Sequence, residues 1–235
     1  MTALSRTPAP EPYRDPARHL DGVLSTLERR TLVWLAERMP RWVHSDHLTA
    51  LALAAMFGAG LSYWWAASNP LGLAAATVLL AVNWFGDSLD GTLARVRRCQ
   101  RPRYGFYVDH VIDAFGAAFL FGGLGLSGYM SPWIAAALLI AYFMLTIEVY
   151  LATHVLGTFR MSYFKMGPTE LRILLALGNV AAAFRPVVQP FGEPMLLFDA
   201  GGAIGAIGLL LTLLYSAARH TRILYRLEPL VSPRP

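Results

Sequence analysis

The chain has 235 residues, of which 55% are hydrophobic and only 15% are Asp, Glu, Lys or Arg, with a net charge of +5 at pH 7. Soluble domains carry about 25% charged residues, so this balance excludes an ordinary soluble globular domain and points to one membrane-embedded unit. The basic residues sit at the ends of apolar runs, a pattern of membrane topology rather than of nucleic-acid binding, and the single cysteine, Cys99, excludes an internal disulfide or a cysteine-based zinc site.

Residues 1–18 are polar and proline-rich, without the apolar core of a signal peptide, and are expected to form a disordered tail. Residues 19–45 read as an amphipathic juxtamembrane helix. Leu20, Val23, Leu24, Leu27, Trp34 and Leu35 mark one broad face, and Glu28, Arg29, Arg30, Glu37 and Arg38 supply charge. Such a helix lies in the headgroup region or packs on the membrane bundle; the interfacial placement is the expectation carried forward.

Six apolar spans follow, near 47–67, 71–92, 106–127, 132–156, 169–189 and 196–218. Each reaches the roughly 20 residues that cross a bilayer core. Pro132 and Pro168 read as helix starts, where a missing N–H is no loss. The fold class expected is therefore all-α and integral to the membrane, with six transmembrane helices over 46–220 and a basic cytoplasmic tail over 221–235. Arginines crowd before the first span, between the second and third, around the fourth-to-fifth junction and after the sixth. By the positive-inside rule both termini and both basic loops face the cytoplasm.

The chemistry concentrates in 84–116, WFGDSLDGTLARVRRCQRPRYGFYVDHVIDAFG. At about 100° per residue, Asp87, Asp90, Gly91 and Ala94 share one face of the second span. Gly105, Asp109, Asp113 and Gly116 share a face of the third through i,i+4 and i,i+3 steps. The short connection makes the two helices antiparallel neighbours, so four carboxylates converge beside small residues that leave room for a ligand. Four like charges repel and demand compensation. Divalent cations offset them best, and all-oxygen ligation suits Mg²⁺, Mn²⁺ or Ca²⁺ rather than zinc. Two such ions are a common arrangement for displacement at phosphorus, which makes phosphoryl-type transfer the leading reaction class.

The same stretch resembles the signature of the CDP-alcohol phosphotransferase family, D-x-x-D-G-x-x-A-R, a spacer, then G-x-x-x-D-x-x-x-D. Here it is carried by Asp87, Asp90-Gly91, Ala94-Arg95, Gly105, Asp109 and Asp113. Nine residues separate Arg95 from Gly105, one or two more than the pattern has, and the excess falls in the polar turn. The resemblance implies six membrane helices, a homodimer, a site open to the cytoplasm, and Mg²⁺ or Mn²⁺ as a pair of ions. It implies Asp87, Asp90 and Asp109 as metal ligands, with Asp113 completing the site and acting as general base. Gly91 and Ala94 would pack against the CDP moiety, with Gly105 opening the second half-motif, and Arg95 would support the site. A hydroxyl acceptor would attack the β-phosphorus of the CDP-linked donor, and CMP would leave, in phospholipid biosynthesis.

The acceptor end is read from Glu148, His154, Arg160, Lys165, Glu170 and Arg172. Glu148 lies inside a span and needs a cation, a proton or a hydrogen-bond partner. Glu170 also suits the positive end of a helix, His154 a membrane boundary, and Arg160 and Lys165 the topology rule alone. Gly157-Thr158, Gly167-Pro-Thr-Glu170 and Asp109-His110 are similar to choline- and ethanolaminephosphotransferases. The reading therefore leans to a CDP-aminoalcohol donor with diacylglycerol as acceptor. The alternative is CDP-diacylglycerol with a polar or phosphorylated alcohol. A cation transporter is the rival from another class; it would spread acidic residues through the membrane depth, whereas these aspartates bunch at one end.

Overall fold

The computed structural model describes residues 17–18, 25–156, 158–159, 168–190 and 192–230. Among them are seven helices: α1 (Ser25–Arg38), α2 (Ser45–Ala66), α3 (Leu71–Val96), α4 (Pro102–Leu126), α5 (Pro132–Leu156), α6 (Pro168–Phe184) and α7 (Leu197–Leu227). Two strand pairs of two residues each join them. β1 (Ala17–Arg18) runs parallel to β2 (Thr158–Phe159), and β3 (Val187–Val188) antiparallel to β4 (Met195–Leu196). Ala17 and Arg18, at the end of the expected tail, thus meet the segment that follows α5.

Five helices, α2 to α5 and α7, are long and apolar enough to cross a membrane, as an integral membrane protein requires. α6 has 17 residues. At 1.5 Å per residue it spans about 25 Å, against a hydrocarbon core of about 30 Å. It stops at Phe184 because Pro186 has no N–H to continue the ladder and disfavours helix at the residue before it. Pro132 and Pro168 open α5 and α6 as their sequence positions predict. α7 runs past the expected end at 218 and carries Arg219, Arg222 and Arg226 on its last turns. Nothing between Ser216 and Leu227 breaks a helix, and Pro229 then does.

α2 is the hub, packed on α3 and α4; α5 packs on α4 and α7, and α6 on α3. Small residues set these distances, as expected where lipid gives helices little hydrophobic reason to associate. A Cβ on Gly123 of α4 would collide with the Gly60 carbonyl of α2, and one on Gly86 of α3 would lie 2.6 Å from the Leu48 carbonyl. The main core gathers Tyr63, Leu73, Ala76, Leu80, Leu120, Leu124, Leu138 and Phe198. One buried polar chain crosses it. Tyr63 Oη donates to Asn179 Oδ1 (3.0 Å), and Asn179 Nδ2 donates to Thr77 Oγ1 (3.0 Å).

α1 packs on the end of α3 that carries the motif. Leu32 and Ala36 are buried with Val43, Leu48, Leu89 and Leu93, and Trp84 and Phe85 lie against them. The juxtamembrane helix thus packs on the bundle. Trp34, assigned from sequence to the apolar face, is 52% exposed, with the Arg38 guanidinium over its ring at 4.2 Å. The corner between α1 and α2 is braced by Arg97, which donates to the carbonyls of Val43, Met39 and Pro40.

Candidate active site

The basic turn between α3 and α4 is tight because α3 ends in a left-handed residue. Arg98 has φ 55°. Its N–H donates to the Arg95 carbonyl (3.1 Å), and the Cys99 N–H donates to the Ala94 carbonyl (3.0 Å). This is the Schellman pattern, which favours glycine at the position held here by Arg98. α4 restarts at Pro102, and the chain doubles back so that the two aspartate faces meet.

Three of the four aspartates come together. Asp87, Asp109 and Asp113 each present a carboxylate oxygen, and these oxygens all lie within 4.8 Å of one another. All three side chains are half-buried. An all-carboxylate set of this compactness fits a hard divalent cation.

Asp90 is oriented differently. Its Oδ2 accepts from Thr49 Oγ1 of α2 (2.6 Å), and its Oδ1 accepts from the Gly91 N–H. Ser45 Oγ donates to the Asp90 carbonyl (2.9 Å), so α2 holds this turn of α3 at two points. Asp90 stays within electrostatic reach of Asp87 and Asp109.

Arg172 enters the cluster from the second turn of α6. Its Nη2 donates to Asp87 Oδ2 (2.6 Å) and its Nε to Asn83 Oδ1 (2.8 Å). Asn83 in turn donates through Nδ2 to the Ala52 carbonyl of α2 (3.0 Å), so the guanidinium is aimed by a buried amide. Sequence reading placed Arg172 at the acceptor end and passed over Asn83 and Thr49. Asn83 lies four residues before Asp87 on the same face, which was the available signal.

The remaining motif residues line open ground. Nothing would meet a Cβ on Gly105 within 4 Å, and one on Gly91 would meet only the Arg95 guanidinium, at 3.4 Å. Arg95 Nη2 donates to Thr92 Oγ1 (3.0 Å), and Ala94 is half-buried beside it. His110 follows Asp109 but faces α5. Its ring stacks on Phe106 at 4.1 Å and meets Tyr150 at 4.7 Å, with Nδ1 2.6 Å from the Phe106 carbonyl.

Among the described acceptor-end residues, Glu148 is engaged elsewhere. Glu148 faces α7, where Ser216 Oγ donates to its Oε2 (2.7 Å) and His220 Nδ1 lies 2.7 Å from its Oε1. Its partners come from the stretch after 192, to which sequence reading assigned no chemistry. By helical geometry Glu148 lies about 120° around α5 from Tyr142, which is within electrostatic reach of Asp113. His154 is exposed near the end of α5, and Glu170 is half-buried in the first turn of α6. Arg160 and Lys165 lie outside the described residues.

No curated protein matches the chain. The model of the CDP-alcohol phosphatidyltransferase family matches residues 42–214, which takes in α2 to α6, the aspartate turn and most of α7. That extent leaves the cation-transporter reading without support, and the chain belongs to the CDP-alcohol phosphatidyltransferase family, a family of enzymes that transfer phosphate-containing groups.

Proposed function

We propose that this enzyme transfers a substituted phosphate from a CDP-linked alcohol to a hydroxyl acceptor, releasing CMP, with a divalent cation held at the aspartate cluster. The observation that carries this reading is the convergence of Asp87, Asp109 and Asp113 at the facing ends of α3 and α4. These three would hold the ion, Mg²⁺ or Mn²⁺. Asp90 would complete the set for a pair, since a carboxylate has about four lone-pair sites and Thr49 and the Gly91 N–H take two. When bound, such ions stabilise negative charge on the oxygens of a phosphoryl group in displacement.

The residues do the rest. Asp113 accepts the proton of the acceptor hydroxyl as its oxygen bonds to the β-phosphorus of the donor. The bond from that phosphorus to the bridging oxygen breaks, and CMP departs with both electrons. The open floor at Gly91, Ala94 and Gly105 takes the CDP moiety, with Arg95 above it. α6 serves as the sixth crossing, α1 rests at the headgroup level, and the site and both termini face the cytoplasm. A homodimer in the bilayer is the assembly we propose.

The first substrate pair is a CDP-aminoalcohol with diacylglycerol, on the Asp109-His110 form of the motif. A second pair, CDP-diacylglycerol with a polar or phosphorylated alcohol, is favoured by Arg172, a cation at the cluster able to take an anionic group. The test is CMP release by purified protein in lipid, with and without Mg²⁺, for each pair. Metal-dependent release from one pair assigns donor and acceptor. Failure of every donor to bind or release CMP overturns the proposal.

A further inference from the structure

Glu28 lies on the juxtamembrane helix, before the residues matched by the family, yet it joins the two elements that carry the Arg172–Asp87 contact. Its Oε1 accepts from Trp84 Nε1 of α3 (2.7 Å) and from Thr169 Oγ1 of α6 (2.7 Å). Trp84 adjoins Asn83 and precedes Asp87 by three residues, and Thr169 precedes Arg172 by three. One carboxylate oxygen therefore ties α3 to α6 a single turn from the point where Arg172 bonds Asn83 and Asp87.

α6 packs chiefly on α3, and among its described polar bonds to the bundle are those of Thr169, Arg172 and Asn179. Asn179 lies two turns beyond Arg172, whereas Thr169 makes its bond within the first turn of α6. Bonds to a charged acceptor are stronger than neutral ones, which suits a tether made by one side chain to two donors. α1 is itself fixed by Leu32 and Ala36 against Leu89 and Leu93, and by Arg97 on the carbonyls of Met39 and Pro40 just after it.

We infer that Glu28 is a positioning residue for the transfer reaction: it clamps the first turn of α6 to α3 and so sets the Arg172 guanidinium on the aspartate cluster. The inference rests on the function proposed above for that cluster. Glu28→Ala removes the clamp; Glu28→Gln keeps an acceptor oxygen and retains most of it. Thr169→Val cuts the α6 half of the joint while leaving α1 untouched, which separates the clamp from any folding role of Glu28 itself.

Two measurements on the full chain in lipid nanodiscs test this. The first is hydrogen–deuterium exchange, which needs no turnover. Glu28→Ala and Thr169→Val should speed exchange over the first turns of α6, with Glu28→Gln close to wild type. Faster exchange confined to α1, or none, overturns the clamp. The second is kcat for CMP release. Either variant should lower it roughly ten- to a hundredfold, the order expected when a reacting group is misplaced by about 1 Å. In an Arg172→Gln background the same changes should add less than about twofold, because coupled residues act non-additively. A full loss in that background overturns the positioning role. Were wild type itself inactive with every donor, the proposed reaction would fall, while exchange would still decide the clamp.

Discussion

Arg172 donates to Asp87 across 85 residues of sequence, with 16% of one side chain and 25% of the other exposed. A cation of the protein thus sits on one of the three carboxylates that converge at the cluster. Its charge limits their mutual repulsion and competes with any ion they hold.

Arg172→Gln removes that competition. Mn²⁺ should bind the protein without substrate about fivefold more tightly, the order of one screened charge contact at a partly solvated site. Turnover should fall in the same variant. Electron paramagnetic resonance titration and CMP release measure the two effects, and weaker Mn²⁺ binding would show that Arg172 supports the ion instead.

The aspartates should separate by role. Asp87→Asn and Asp109→Asn should raise the Mn²⁺ dissociation constant at least about tenfold. Asp90→Asn should have a smaller effect, because Thr49 and the Gly91 N–H hold its carboxylate. Asp113→Asn should lower kcat by about 10²–10⁴, the range of a lost general base, with donor binding partly retained.

Glu148 and His220 form a pair between α5 and α7 with 13% and 19% of their side chains exposed, respectively. Removing one member of a buried pair strands the other. Without His220, Glu148 keeps an acidic side chain in the α5–α7 contact with the Ser216 hydroxyl as donor, whereas without Glu148 no acidic side chain is left there. His220→Leu should therefore destabilise by about 2–4 kcal/mol, Glu148→Leu by less, and the double variant should recover most of the loss. Thermal unfolding in detergent tests this order. An altered acceptor KM at unchanged unfolding temperature would assign Glu148 to the substrate instead.

Arg98→Gly places glycine at the left-handed stop of α3, φ 55°. A side chain there costs about 1 kcal/mol, so the variant should unfold at a slightly higher temperature with turnover kept. A lower unfolding temperature would show that the Arg98 side chain contributes contacts worth more than the strain.

The helices and the aspartate faces were legible because both depend on local spacing. Apolar length marks α2 to α5 and α7, and i,i+3 and i,i+4 steps put Asp87, Asp109 and Asp113 where helices meet. What sequence did not disclose depends on which distant residue arrives. Thr49 reaches Asp90 from 41 positions away, Arg172 reaches Asp87 from 85, and His220 reaches Glu148 from 72. No periodicity encodes such meetings, and each changes the job of a residue that sequence had named. Trp34 shows the same limit on α1: its spacing fits the apolar face, but Arg38 can cover the ring in place.

Counting arginines gave the α3–α4 turn five positive charges, all equivalent for topology. Arg97 is not equivalent. Its guanidinium closes three backbone carbonyls at the α1–α2 corner, while Arg101 is engaged with Asp46. A charge-reversal scan of this turn, run to map insertion polarity or donor attraction, would therefore record a folding defect at Arg97 and mistake masonry for signage.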